Sequence, residues 1–208
     1  TDKPVLLPRL PPALPLLLVL LALLPLPALA QTQACKQPAP VCDARQAVFA
    51  VSAFDPVGSA VRRDESRLVT ARHVVADQEE VTLFLPDGQP LTARVIPTDY
   101  RGDLVLLEAA ELPPGPALTP AEPGPDSALF TVGADVGRRA IHAYDPGRLH
   151  FAPPPDRPLA RLHHSAYSQP GNSGGALVDA DGGLIGIVAS GGEGRFEAIH
   201  ATAIAALE

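Results

Sequence analysis

From Gln46 onward the apolar positions fall in short runs rich in Val, Leu, Ile and Thr, each closed by turn-forming residues. The runs are 47–54, 59–63, 67–71, 80–85, 92–96 and 103–109, with turns at Asp55-Pro56, Pro86-Asp87-Gly88 and Arg101-Gly102. A second set follows at 129–133, 140–144, 148–152, 160–164, 175–178, 184–189 and 196–199. Strands of about five residues at intervals of about 8–12 predict an all-β barrel or sandwich rather than βαβ units. Asp145-Pro146-Gly147 and Asp181-Gly182-Gly183 predict hairpin turns. Residues 201–208 predict a short terminal helix.

Between the two sets lies 111–127, which holds six prolines. Proline lacks the N–H that a ladder needs, so this stretch predicts a stiff, extended surface strap between two units of similar size. The expected boundaries are about 46–110 for the first unit, 111–127 for the strap and about 128–200 for the second.

The first thirty residues follow a different pattern. Lys3 and Arg9 precede the run Leu16–Leu24, and Pro25-Leu26-Pro27-Ala28-Leu29-Ala30 ends in a small-x-small site. A basic start, a short apolar core and Ala-x-Ala describe a secretory signal peptide over 1–30. A membrane span needs about 20 apolar residues, and Pro15, Pro25 and Pro27 interrupt this one on both sides. The expectation is an exported protein, periplasmic or secreted, with no stable membrane anchor once the signal is removed. Export makes the two cysteines legible. Cys35 and Cys42, within 31–45, predict one disulfide closing a small loop.

Composition narrows the classes further. The chain of 208 residues is 46% hydrophobic, which excludes a disordered chain. A net charge of -7 with only two lysines argues against a nucleic-acid partner, which requires clustered positive charge.

Three patterns could carry chemistry: Thr70-Ala71-Arg72-His73, Gly102-Asp103-Leu104-Val105-Leu106 and Gly171-Asn172-Ser173-Gly174-Gly175. A serine hydroxyl is a weak nucleophile. It needs a base near neutrality, and the base needs a carboxylate to hold its tautomer. Glycines around a serine free the backbone to aim N–H groups at a developing oxyanion. Asp99 competes for the carboxylate role, but Asp103 abuts the apolar strand and can be buried against the histidine.

These motifs, in the order His…Asp…Ser, resemble the trypsin-like serine proteases, and most closely the bacterial HtrA/Deg protease domain. Gly58-Ser59, Leu129–Gly133 and Leu184–Val188 extend the likeness over about residues 46–203. The resemblance implies two six-stranded antiparallel β-barrels of the chymotrypsin type and a serine endopeptidase acting on polypeptide substrates. It implies His73 as base, Asp103 as orienting carboxylate and Ser173 as nucleophile, with the Gly171 and Ser173 N–H groups as oxyanion hole. A substrate pocket is implied at Tyr167, Ala189, Ser190, Gly191, Ala198 and His200. No carboxylate stands at Tyr167, so a preference for Lys or Arg is not expected; small or medium apolar side chains are. His163-His164 has no third ligand at metal spacing, so neither metal nor cofactor is expected.

Two departures qualify the likeness. Proteases of this fold that are activated by cleavage carry Asp before the nucleophile, whereas this chain has Asn172; no ion pair with a new amino terminus is expected. HtrA relatives add a PDZ domain, and the 35 residues after Ser173 would not hold one. Oligomeric state is left open. The competing class is a non-catalytic binding protein on the same fold, which would normally lose a member of the triad or an oxyanion glycine.

Overall fold

A computed structural model describes residues 34–53, 57–154, 157, 159–192 and 195–208. The stretch 1–30, expected to be a signal peptide, lies outside the described residues, as does the expected turn at Asp55-Pro56.

The first set of runs forms β1 (Val48–Ser52), β2 (Gly58–Arg62), β3 (Arg67–Ala71), β4 (Glu80–Phe84), β5 (Pro90–Ile96) and β6 (Leu104–Glu108). They close into an antiparallel barrel in the order β1-β2-β3-β6-β5-β4. The second set forms β7 (Ala128–Ala134), β8 (Ile141–Ala143), β9 (Gly147–Phe151), β10 (Arg161–His164), β11 (Ala176–Asp179), β12 (Leu184–Gly192) and β13 (Arg195–His200). Here β11-β12-β13-β10-β9-β7 forms a ring closed by β7 pairing with β11, and β8 lies along β7. The fold is therefore the expected pair of six-stranded antiparallel barrels.

Why so many strands are buried on both faces follows from the two-residue period. In β6, Val105 and Leu107 point into the first barrel with Phe49, Leu68 and Leu83, while Leu104 and Leu106 join a second cluster with Phe130, Val132, Val178 and Ile187 of the other barrel. In β11 the same alternation sends Leu177 into the second barrel with Leu129, Leu162 and Ile185, and Val178 into the shared cluster. One face of each such strand fills its own barrel and the other cements the two barrels together.

One expectation is corrected. Asp145-Pro146-Gly147 is not a hairpin: β8 and β9 do not pair with each other but run end to end along β7, Ala143 opposite Val132 and Gly147 opposite Leu129. Pro146 interrupts one long strand, and the Tyr144 N–H still bonds to the Thr131 carbonyl across the break. The terminal helix, at Ala201–Leu207, is a 3-10 helix whose Ala203, Ile204 and Leu207 are buried.

The strap meets the second barrel at a β-bridge between Pro120 and Leu184, with Ala121 donating to the Leu184 carbonyl and Leu184 to the Thr119 carbonyl. Proline at the bridge leaves its neighbours to make both bonds. A disulfide joins Cys35 to Cys42, and the short helix α1 (Ala39–Asp43) that follows buries Val41 in the cluster between the barrels.

Candidate active site

β3 ends at Ala71 and turns at once into the short helix α2 (Arg72–Val75), which carries His73. The chain is held there by Asp103, the residue before β6. The Arg72 N–H donates to the Asp103 carbonyl at 3.1 Å and the His73 N–H to Asp103 Oδ1 at 2.9 Å. The imidazole Nδ1 meets Asp103 Oδ2 at 2.7 Å. Asp103, not Asp99, is the carboxylate beside His73. The pairing β3–β6, with Ala71 opposite Leu104, is what fixes this meeting.

The loop that enters Asp103 is itself clamped. The Arg72 guanidinium donates to the carbonyls of Tyr100, Gly102 and Leu104. Asp103 is more buried than His73, whose side chain is 48% exposed and so open to an incoming molecule. Burial raises the proton affinity of Asp103, but the two bonds from His73 and the charge of Arg161 outweigh it and hold the carboxyl below the usual range.

Ser173 comes from the other barrel, in the loop between β10 and β11. Its carbonyl accepts from the Ser59 N–H of β2 at 2.8 Å, which draws the loop against the first barrel. Gly174 lies deeper: with φ +83, a Cβ there would stand 2.0 Å from the Ser59 carbonyl oxygen and 3.1 Å from the Ala71 nitrogen. Only glycine lets the loop approach the end of β3, and hence His73, so closely. The Ser173 hydroxyl donates to the Ala189 carbonyl at 3.2 Å.

Asn172 is fully buried and braces the loop from within. Its Oδ1 accepts from the Gln169 N–H at 2.8 Å and its Nδ2 donates to the Ala134 carbonyl at 3.1 Å. A neutral amide supplies both a donor and an acceptor here, where a carboxylate would leave the Ala134 carbonyl facing a negative charge. Gly171, with φ +100, would place a Cβ 2.5 Å from that same carbonyl. Among the described residues no acceptor pairs with the N–H of Gly171 or Ser173.

The residues expected at the pocket separate. Tyr167 is half exposed, its ring 5.9 Å from Tyr144 and edge-on to Phe196 at 6.4 Å. Gly191 pairs with Phe196, and Ser190 with Glu197. Ala198 is buried in the core of the second barrel beside Leu162 and Ile185. His200 bonds to Thr202 and to Glu122 of the strap.

Sequence reasoning missed Arg161 and Glu197. Arg161 reaches Ser190 Oγ at 3.0 Å, Glu197 at 2.9 Å and Asp103 at 3.6 Å, so a second-barrel cation touches the first-barrel carboxylate. A lone Glu between Phe196 and Ala198 was the available signal. The expected pocket lining also included the Phe196–His200 strand, and there Phe196 pairs with Gly191.

Residues 58–187, more than half of the chain, match the model of the trypsin-like peptidase domain. Serine protease Rv3671c of Mycobacterium tuberculosis is 31% identical over 133 residues, covering 59% of this chain and 33% of that one. A DegP-like periplasmic serine endoprotease of Pseudomonas fulva is 30% identical over 123 residues, covering 58% and 26%. The chain thus spans about a third or less of these relatives. Among solved structures, the active form of the Rv3671c protease superposes with a TM-score of 0.70 at 23% identity, over 84% of this chain and 87% of that one. The HtrA-type protease AlgW with a tripeptide gives 0.67 at 28% identity, over 78% and 59%. The chain belongs to the trypsin-like peptidase family.

Proposed function

We propose that the chain is an exported serine endopeptidase that cleaves polypeptides through an acyl-enzyme. The observation that carries this reading is the 2.7 Å contact between His73 Nδ1 and Asp103 Oδ2 beside a serine loop held to the same barrel by its own carbonyl.

Asp103 keeps the Nδ1 proton in place, so Nε2 is the basic nitrogen. Rotation about the Ser173 Cα–Cβ bond frees the hydroxyl from Ala189 and presents it to Nε2, a rapid side-chain motion. Oγ attacks the peptide carbonyl carbon while Nε2 takes its proton. The carbonyl oxygen becomes an oxyanion that accepts from the Gly171 and Ser173 N–H groups. Nε2 then gives its proton to the leaving amine, the C–N bond breaks, and the acyl group remains as an ester on Ser173. Water, deprotonated by Nε2, attacks the ester; collapse of the second oxyanion releases the carboxylic acid and returns the proton to Ser173 Oγ.

The leader pattern at 1–30 and the periplasmic DegP-like relative support export. The pocket beside Ser173 is walled by Ala189, Ser190 and Gly191 and flanked by Tyr167 and Phe196. Glu197 does not supply a free charge for a basic side chain, because Arg161 already pairs with it.

The test is hydrolysis of an unfolded protein such as casein by the wild type and by Ser173→Ala, His73→Ala and Asp103→Asn. The reading requires losses of about 10³-fold or more in each variant. Activity that persists in Ser173→Ala overturns it.

A further inference from the structure

Gly58-Ser59 stands out in the sequence, yet the mechanism above uses only the Ser59 backbone. Its side chain is fully buried at the junction of the two barrels. The hydroxyl donates to the Gly171 carbonyl at 2.6 Å and accepts from the Ala134 N–H at 2.8 Å. Because Ala134 fills its acceptor side, the single hydroxyl proton is directed to Gly171. The Ser59 carbonyl is fixed in turn by the Thr70 hydroxyl at 2.6 Å.

The consequence is that one residue of the first barrel holds both relevant carbonyls of the second-barrel loop. Its N–H takes the Ser173 carbonyl and its Oγ takes the Gly171 carbonyl. Those are the two residues whose N–H groups would receive the oxyanion. Gly171 has no Cβ, so steric exclusion alone does not choose among its rotations. The Gly171 carbonyl and the Asn172 N–H are the two ends of one peptide, held by Ser59 Oγ and by the Gln169 carbonyl, and it is from this fixed plane that the φ of +100 carries the chain to the Gly171 N–H.

We infer that Ser59 is the positioning residue of the oxyanion hole, a hydroxyl on the histidine barrel that anchors the Gly171–Asn172 peptide of the serine barrel, the plane on which the Gly171 N–H turns. This rests on the reading of Ser173 as nucleophile. Alanine at 59 would keep the Ser173 bond, lose the Gly171 anchor and leave two buried polar groups, Gly171 C=O and Ala134 N–H, without their partner. The Gly171 amide would then sample orientations that do not meet the oxyanion, and only a preorganised donor lowers the barrier.

The experiment is the second-order rate of Ser173 labelling by a fluorophosphonate, followed against pH, for wild type, Ser59→Ala and Ser59→Cys. Val81→Ala, a cavity variant in the core of the first barrel, serves as a comparison of lowered stability. Ser59→Ala is expected to label roughly 10- to 100-fold more slowly on the plateau of the profile, with its acid limb at the wild-type pH. Ser59→Cys, a weaker donor of similar size, falls between, and Val81→Ala labels as wild type despite a lower melting temperature. Ser59→Ala labelling at the wild-type rate overturns the inference, as does a loss in Val81→Ala as large as that in Ser59→Ala. Should Ser59→Ala not fold, the same comparison is read from Ser59→Cys. Failure of the wild type itself to label would count against the nucleophile reading, a separate outcome.

Discussion

The Arg161 guanidinium of the second barrel lies 3.6 Å from the Asp103 carboxylate of the first. Asp103 is thus shared between the imidazole it orients and a cation that competes for its charge. Arg161 also holds Glu197 and Ser190, and it sits within Coulomb range of Tyr100. The charged groups around Asp103 are therefore His73, Arg161 and, behind Arg161, Glu197.

Replacing Arg161 by Gln removes a positive charge and leaves Glu197 without its partner. Both changes weaken the pull that holds the Asp103 carboxyl below the usual range, so the acid limb of the labelling-rate profile should move to higher pH. Arg161→Lys keeps a charge but not the three-way reach, so its acid limb should stay nearer the wild type. Coincident limbs in wild type and Arg161→Gln would show that the contact carries no electrostatic weight.

Gly174 makes the approach of the serine loop to the end of β3 possible. Gly174→Ala meets both a positive φ and a backbone oxygen at 2.0 Å, neither of which can yield without moving the loop. A loss of stability of at least about 2 kcal/mol is expected, read as a lower midpoint in urea, together with loss of labelling. An unchanged midpoint would contradict this packing.

His164 is fully buried and its ring lies 6.0 Å from Phe196. Burial, followed by the charges of His150 and His163, pushes its pKa down to about 4. In the unfolded chain it titrates near 6.5, so between these values the unfolded state binds the proton and the native state does not. Stability should therefore fall as pH drops from about 6.5 to 4, by about 3 kcal/mol at most. Melting temperatures over this range check it, and His164→Leu should flatten the dependence. Equal slopes in both proteins would rule out His164 as the source.

In the proposed substrate pocket, Phe196 pairs with Gly191 and lies edge-on to Tyr167. Small or medium apolar residues should precede the cleaved bond in a peptide library, and Phe196→Ala should admit larger ones. Cleavage chiefly after Lys or Arg would refute this account of the pocket.

How far the sequence revealed the site follows from what is local. β3 and β6 were legible because Leu68–Ala71 and Leu104–Leu107 are apolar runs with clean ends, and the motifs at their ends named His73 and Asp103. The β8–β9 junction was misread because Asp-Pro-Gly suits a hairpin as well as a kink, and only pairing with β7 decides between them. Arg161 and Ser59 were illegible as site residues for the same reason. Their partners lie in the other barrel, 58 and 112 positions away for Asp103 and Gly171, and register across a closed ring is not written in any local period. α1, of five residues, is too short to show a helical repeat, although Val41 is buried in the shared core.

The most direct test of the central claim is the intact mass of the protein after treatment with a fluorophosphonate, with the modified residue located by peptide mapping. The account predicts a single adduct on Ser173 that is lost in Ser173→Ala and strongly slowed in His73→Ala. An adduct on another residue, or none on the folded wild type, would contradict it.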